Sequence, residues 1–425
     1  MEALKATTED WVGSIPESWG LERMRYSLSE INVKNSPIKT EQILSLVKDK
    51  GVMLYEEKGD VGNKAKEDIT GYKVAFPNTL IVNSMNILIG SVGISNYKGC
   101  VSPVYYVFKE TEKSDLRYIN YIFNTREFQK ELRKYANGIL EIRLRVSATD
   151  IFNRKIPMPT KDEQTRIADF LDEKCAEIDK LSEDIQKQIE ILEDYKNTII
   201  SNATTQGIRK NRRYKESGID WCHLIPEDWE PCNPKALFSQ RNDRIKNGDE
   251  QLTSSQEYGI IPQAKFMEIT GNKVVTVMKD FSILKHVEPE DFVISMRSFQ
   301  GGLEYSEVRG CISSAYVMLI PNKQFVVPRF YRWFLKSSRY INAIQSTSNL
   351  IRDGQAMRYA NFAQIKLFKI PLNEQNEIAD YLDRECSSVD SAINAKREQL
   401  ETLLSYKKSI IYEYVTGKKR VKGAL

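Results

Sequence analysis

The residues best suited to covalent chemistry are scarce in this 425-residue chain. Only two histidines occur, His223 and His286, which leaves little room for His-ligated metals or a His general base. Both read as ordinary structural or surface residues. The six cysteines, Cys100, Cys175, Cys222, Cys232, Cys311 and Cys386, form no CxxC pair, which argues against zinc. They read as reduced, mostly packed thiols of a cytosolic protein. Asn233-Pro234-Lys235 lacks the second proline and the aromatic residue that would hold a flipped adenine, and no glycine-rich cofactor turn accompanies it. Carboxylates are plentiful but form no recognisable metal-dependent nuclease cluster. What remains is hydrogen bonding and charge, carried by loops of Lys, Arg, Asn, Gln, Ser and Tyr. That chemistry binds and does not catalyse.

The chain that must position these loops has ordinary globular composition, 41% apolar and 28% charged. Its length is a soft prior of about three domains. Lys+Arg 62 against Asp+Glu 58 gives +4, so total charge alone does not demand a polyanionic partner. The start, MEALKATTEDW, has no apolar core of a signal peptide, and no apolar run is long enough to span a bilayer. A cytoplasmic location is the expectation.

The dominant feature is an internal duplication. Asp10-Trp11 with Ile15-Pro16-Glu17-Ser18-Trp19 recurs as Asp220-Trp221 with Ile225-Pro226-Glu227-Asp228-Trp229, an offset of 210 (220 − 10). Ile81-Val82-Asn83-Ser84-Met85 matches Phe292-Val293-Ile294-Ser295-Met296, an offset of 211 (292 − 81). Gly99-Cys100-Val101-Ser102 matches Gly310-Cys311-Ile312-Ser313 at 211 (310 − 99). Glu163-Gln164 with Ile167-Ala168-Asp169-Phe170-Leu171-Asp172 matches Glu374-Gln375 with Ile378-Ala379-Asp380-Tyr381-Leu382-Asp383, again 211 (374 − 163). Residues 30–70 and 240–280 share no alignable pattern. Each half is therefore a fixed frame carrying a variable insert. Trp11, Trp19, Trp221 and Trp229 recur with the frame and read as packing anchors.

Each half opens on its Ile-Pro-Glu-x-Trp turn and continues through short β-type runs such as Thr79-Leu80-Ile81-Val82 and Ala315 to Ile320. A helical stretch follows, Leu116 to Tyr135 or Pro328 to Gln345, and the module closes at Lys155-Ile156-Pro157 or Lys369-Ile370-Pro371. From Glu163 to about Ile200 there is no Pro or Gly, and Ile167, Leu171, Ile178, Leu181, Ile185, Leu192, Tyr195 and Ile199 make a heptad stripe. Lys174 and Gln188 interrupt it. The second copy runs through Ile378, Leu382, Val389, Ile393, Leu400, Leu403, Tyr406 and Ile410. Thr160 and Glu163 suit a capping box, and Gly207 and Gly417 suit helix stops. Two such helices of roughly 37 residues, about 55 Å at 1.5 Å per residue, bury their stripes best against each other, antiparallel. The expected architecture is mixed α+β: two pseudo-twofold-related globular modules separated by an antiparallel coiled coil.

At these motifs the chain resembles the specificity (S) subunits of type I restriction–modification systems. The resemblance rests on the Ile-Pro-Glu-x-Trp turns, the Ile-Pro closures, the Glu-Gln-x-x-Ile-Ala-x-aromatic-Leu-Asp helix starts and Tyr214-Lys215-Glu216-Ser217-Gly218-Ile219-Asp220-Trp221. It covers nearly the whole chain. It implies a first target recognition domain over 1–155, a first spacer helix over 156–206 and a linker over 207–229. A second recognition domain over 230–369 and a second helix with a basic tail over 370–425 follow. It implies that each module reads half of a bipartite double-stranded DNA site, while the helices set the spacer and dock two methyltransferase subunits. Catalysis, with its S-adenosylmethionine, ATP and Mg, would then belong to partner subunits, restriction/translocase subunits among them. The chain itself would hold no cofactor or metal. The other reading open at this point is a coiled-coil scaffold bridging proteins without reading DNA.

Base readout calls for Arg or Lys at guanine, Asn or Gln at adenine and Ser or Thr at either. The first module offers Lys58, Asn63, Lys64 and Lys66 beside Gly59 and Gly62, and Asn83, Asn86 and Ser91 beside a strand. The second offers Gln256 and Tyr258, then Arg297, Ser298 and Gln300. Arg143, Arg145, Arg352 and Arg358, ahead of the helices, suit phosphate clamps that position without specifying. The runs Arg209-Lys210-Asn211-Arg212-Arg213 and Lys418-Lys419-Arg420 read as solvated linkers.

Overall fold

The computed structural model describes residues 3–48, 50–60, 64–138, 144–274, 281–295, 298–346 and 358–421. The chain divides into two units, Met1–Gln186 with Glu398–Leu425, and Lys187–Arg397.

The first unit is built on a four-stranded antiparallel sheet in the spatial order Leu28–Glu30, Tyr105–Glu110, Thr79–Asn83, Val92–Ser95. The central strand is buried along its whole length because successive side chains leave opposite faces into different cores. Leu80, Val82 and Phe108 enter the large cluster with Trp11, Trp19, Tyr118 and Phe123. Ile81 and Val107 enter a small one with Leu44, Leu46, Ala75 and Val101. The second unit repeats the plan as Phe238–Arg241, Val317–Pro321, Phe292–Ile294, Glu304–Tyr305. Phe292, Ile294 and Leu319 face the large cluster, while Val293 and Met318 face the small one.

Smaller elements recur as well. A strand pair clips the two ends of each module together, Gly20–Arg23 with Lys155–Met158 and Glu230–Cys232 with Leu367–Lys369. Within the inserts that share no alignable sequence, both units form a hairpin, Leu44–Val47 with Gly51–Leu54 and Leu252–Ser255 with Gly259–Pro262. The expected helical stretch is two helices in each unit, Leu116–Phe123 and Arg126–Arg133, or Pro328–Phe334 and Ser338–Ser346. A hydroxyl makes the break. Thr125 Oγ1 donates to Ile122 O and accepts from Phe128 N, and Ser337 Oγ does the same with Phe334 O and Tyr340 N.

The long helices are longer than the stripe predicts, Lys161–Gln206 and Leu372–Val415. In the first unit the Phe170 and Tyr414 rings lie 4.5 Å apart and Lys407 Nζ meets Asp179 at 2.6 Å. In the second, Lys196 Nζ meets Asp390 at 2.6 Å and Arg397 meets Glu193 at 2.9 Å. As numbers rise on one helix they fall on the other, so each unit holds an antiparallel pair. The stripe needs a correction. Leu181, Tyr195 and Tyr406 are exposed by 51%, 53% and 54%, while Cys175, Ile189 and Cys386 are buried and Lys196 and Lys407 are half-buried. The 4,3 alternation survives with the seam one residue further along at these steps, because small or long-stemmed residues fill it there.

Gly207 and Gly417 end the helices at φ +72 in the left-handed region, as expected. The capping box is half present. Thr160 Oγ1 accepts from Glu163 N, but the Glu163 carboxylate is taken by Trp19 Nε1 at 3.1 Å and Arg420 at 2.6 Å. The basic runs are likewise docked. Arg212 pairs with Glu374 and Asp228, Arg209 with Glu377 at 3.0 Å, and Lys419 with Glu413 at 2.8 Å. Trp11, Trp19 and Trp229 are buried anchors and Trp221 is half-buried. Among the described residues no helix is long and apolar enough to cross a membrane, and no His/Cys/Asp/Glu group could hold a metal ion.

Candidate nucleic-acid interface

In the second unit the hairpin tip carries Gln256 and Tyr258. Ser255 Oγ accepts from the N–H groups of Glu257 and Tyr258, and Gly259 at φ +67 completes the turn. The tip rests on the short helix Ser298–Gly301, which bears Gln300. The Gln256 side chain lies close over Gly301, where a Cβ would stand 2.6 Å from Gln256 Nε2. Lys336 Nζ fastens the arrangement, donating to Gln256 O at 2.9 Å and to Glu304 at 2.8 Å. Burial pushes the Glu304 carboxyl up, against the opposing pull of Lys336. Gln256, Tyr258 and Gln300 are thus gathered and exposed. Ser298 is not available to a ligand. It is buried, and its hydroxyl accepts from Ser295 N at 2.9 Å. Arg358 is exposed ahead of the helix Tyr359–Gln364, which packs on Pro234–Leu237. Arg297 and Arg352 lie outside the described residues.

The first unit gathers two groups. Tyr55 carries Lys58 over its ring at 4.6 Å and accepts from Ala65 N at 2.9 Å, while Tyr72 accepts from Lys66 N at 3.0 Å. Two tyrosine hydroxyls therefore strap the loop that bears Lys64 and Lys66, both exposed. Asn86 is exposed on the turn that follows Thr79–Asn83, and Val146 N donates to Ser84 O at 3.1 Å, bringing exposed Arg145 to the same turn. Asn83 and Ser91 are buried, and Asn83 Oδ1 accepts from Met85 N at 3.1 Å, so Asn83 shapes the turn and does not face solvent. Asn63 and Arg143 lie outside the described residues.

One surface escaped the sequence reading. A groove of about 1780 Å³ opens between the first module and the long helices of the same unit. On one wall Arg126, Gln129, Lys130 and Arg133 form a single face of the helix Arg126–Arg133, joined by Lys48, Asn120 and Asn124. The other wall holds Asp172, Asp179, Glu183, Lys407 and Lys408. The i, i+3, i+4, i+7 spacing was the available signal. The corresponding face of the second unit, Ser338, Ile341, Asn342 and Gln345, carries no charge.

The frame holding these surfaces is the same in both units. Gln164 and Gln375 make matching buried hydrogen bonds, and Arg117 and Arg329 make matching ion pairs to the long helices. Residues 26–200 match the type I restriction modification DNA specificity domain family. A relative from Methanocaldococcus jannaschii, 27% identical, covers 97% of this chain and 96% of its own length. Its designation as the type I restriction enzyme MjaX specificity subunit is provisional. Residues 26–200 thus carry a type I restriction–modification specificity domain, and the similarity to specificity subunits extends along nearly the whole chain. A second specificity subunit from M. jannaschii, MjaVIII, is 25% identical over 81% of each chain. A chain from a structure on assembly and conformational transition of the type I R-M system aligns over 95% of this chain and 99% of that one. Its TM-score is 0.70 at 14% identity. The HsdS subunit from Thermoanaerobacter tengcongensis aligns over 95% of this chain and 98% of its own, at TM-score 0.51 and 14% identity. Both likenesses establish a shared fold.

Proposed function

We propose that this specificity subunit reads a bipartite double-stranded DNA target, one half-site per module, and is not itself catalytic. The observation that carries the reading is the recurrence of every sheet and clip across two halves whose exposed tips differ. A frame repeated with unlike tips suits two unlike half-sites. Candidate base contacts are Lys58, Lys64, Lys66 and Asn86 in the first module and Gln256, Tyr258 and Gln300 in the second. Arg145 and Arg358, with Arg126, Lys130 and Arg133, are candidate phosphate contacts. Residues 1–155 and 230–369 act as the recognition domains, and 156–206 and 370–425 as the spacer elements. The exposed apolar residues Leu181, Ile191, Tyr195, Leu404 and Tyr406 of the long helices supply docking sites for two methyltransferase subunits. Those partners bring S-adenosylmethionine and the methyl-transfer chemistry, and restriction subunits add ATP and Mg. A cytoplasmic site of action follows.

Methylation sequencing of a host expressing the chain with its methyltransferase partner tests the reading. An asymmetric two-part motif with one fixed spacer is expected. Exchanging residues 230–369 for those of another specificity subunit should change one half only. A continuous motif, or no enriched sequence, would overturn the proposal and favour a scaffold.

A further inference from the structure

Gln164 sits wholly buried in the first turn of its long helix. Its Oε1 accepts from Asp115 N at 3.0 Å, and its Nε2 donates to Lys113 O at 3.1 Å and Pro159 O at 3.0 Å. Gln375 repeats this, accepting from Val327 N at 2.7 Å and donating to Phe325 O at 2.7 Å and Ile370 O at 2.8 Å. Both N–H donors of each amide are used. Each amide joins three pieces of chain: the long helix, the end of the strand closing the module, and the loop leading into the module's own helices.

Starting the helix does not require this amide. Gln164 N already donates to Thr160 O, and Glu163 N to Thr160 Oγ1. Nor do the surrounding ion pairs suffice to hold an angle. Arg117 reaches Asp169 at 2.7 Å and Asp172 at 2.9 Å, and Arg329 reaches Asp380 at 2.8 Å and Asp383 at 2.7 Å, but these groups are partly exposed and so partly screened. Three directional bonds in a dry site are the stiff joint. Position matters because a compact module of about 150 residues measures roughly 38 Å across. A tilt of about 5° at its base moves the far surface by about 3.4 Å, one base-pair step.

We propose that Gln164 and Gln375 set the tilt of each module on its long helix and thereby hold the target to a single spacer length. This rests on the bipartite reading above. They are positioning residues, acting through the joint and not by touching DNA.

The test uses the full chain with its methyltransferase partner in a host free of other methylation. Gln164→Met and Gln375→Met keep length and helix preference while removing all three bonds. Expected is methylation of the same half-sites at spacers one base pair longer or shorter, at a tenth or more of the normal frequency. A merely structural role would lower methylation at every site and admit no new spacer, and that result overturns the proposal. Should a methionine variant fail to assemble, Arg117→Gln and Arg329→Gln loosen the same joints from outside. A smaller widening is then expected, and strict spacing or complete loss of methylation in those variants overturns the proposal. A wild-type chain without a two-part motif sinks the function reading, whereas a two-part motif with strict variants sinks only the tilt.

Discussion

At matching points of the two modules, one buries a hydrocarbon and the other an imidazole bonded to two carboxylates. Val74 lies opposite Cys100 in the first module, and His286 lies opposite Cys311 in the second, both fully buried. His286 Nδ1 is 2.7 Å from Asp249 and Nε2 is 2.6 Å from Glu288, and Arg309 closes on Asp249 at 3.2 Å. The imidazole holds Glu288 below the ordinary carboxylate range. Burial pushes Asp249 up, but the Lys246 N–H, His286 and Arg309 outweigh it and hold it low. The backbone of this strand pair does not register the difference. Pairing and volume are what the frame demands there, and both solutions satisfy it, although the polar one depends on every partner being present.

The largest expected effect breaks that comparison. His286→Val leaves the Asp249 side chain, 0% exposed, without its imidazole. The second unit should lose about 3 kcal/mol, read by hydrogen exchange in the full chain, with the first unit unchanged. Val74→His should weaken only the first unit, by about 2 kcal/mol, as a buried ring without a partner. Acid should separate the units too. Asp249 and Glu288 titrate low when folded, so their contribution is complete above the ordinary carboxylate values and is lost as pH falls through the lowered ones. Exchange in the second unit should therefore accelerate first on acidification, and equal acid sensitivity would contradict the account.

A smaller effect sharpens the contrast between the charged and neutral helix faces. Replacing Arg126, Lys130 and Arg133 with Gln should reduce the slope of log K against log salt by about 0.9 for each phosphate that is no longer neutralised. Replacing Ser338, Asn342 and Gln345 with Ala should leave it unchanged. Identical slopes for both triples would remove the groove from the DNA path. The smallest effect tests sameness. Lys196–Asp390 and Lys407–Asp179 are one ion pair written twice, each residue recurring at 211 (407 − 196, 390 − 179). Lys196→Ala and Lys407→Ala should each cost about 0.5 kcal/mol, alike within error. A marked inequality in thermal melts would show that the two seams differ.

The duplication and the long helices were legible because they are local statements: repeated blocks, and an uninterrupted run without Pro or Gly. Leu181, Tyr195 and Tyr406 were misplaced because hydrophobicity chose them over Ser182, Lys196 and Lys407, which are half-buried, and the choice between adjacent residues is settled only by the opposing helix. The hairpins in the inserts were hidden because four-residue strands hold their shape by pairing across the turn, not by composition. Among the candidate residues chosen by type, Gln256, Tyr258 and Gln300 are exposed. Asn83, Ser91 and Ser298 share that chemistry but are buried, and no spacing rule separates the two groups. Gln164 gave no sign of its role, since its partners lie about 50 positions away, at Lys113 and Asp115.

The strand pairs that bring each module's first and last residues side by side have an evolutionary corollary. An insertion whose ends meet at one ladder can be replaced wholesale without lengthening or twisting the scaffold that carries it. New reading heads could thus be grafted by recombination within the shared flanks, each arriving already seated, and the pair of halves would multiply their combinations at little structural cost.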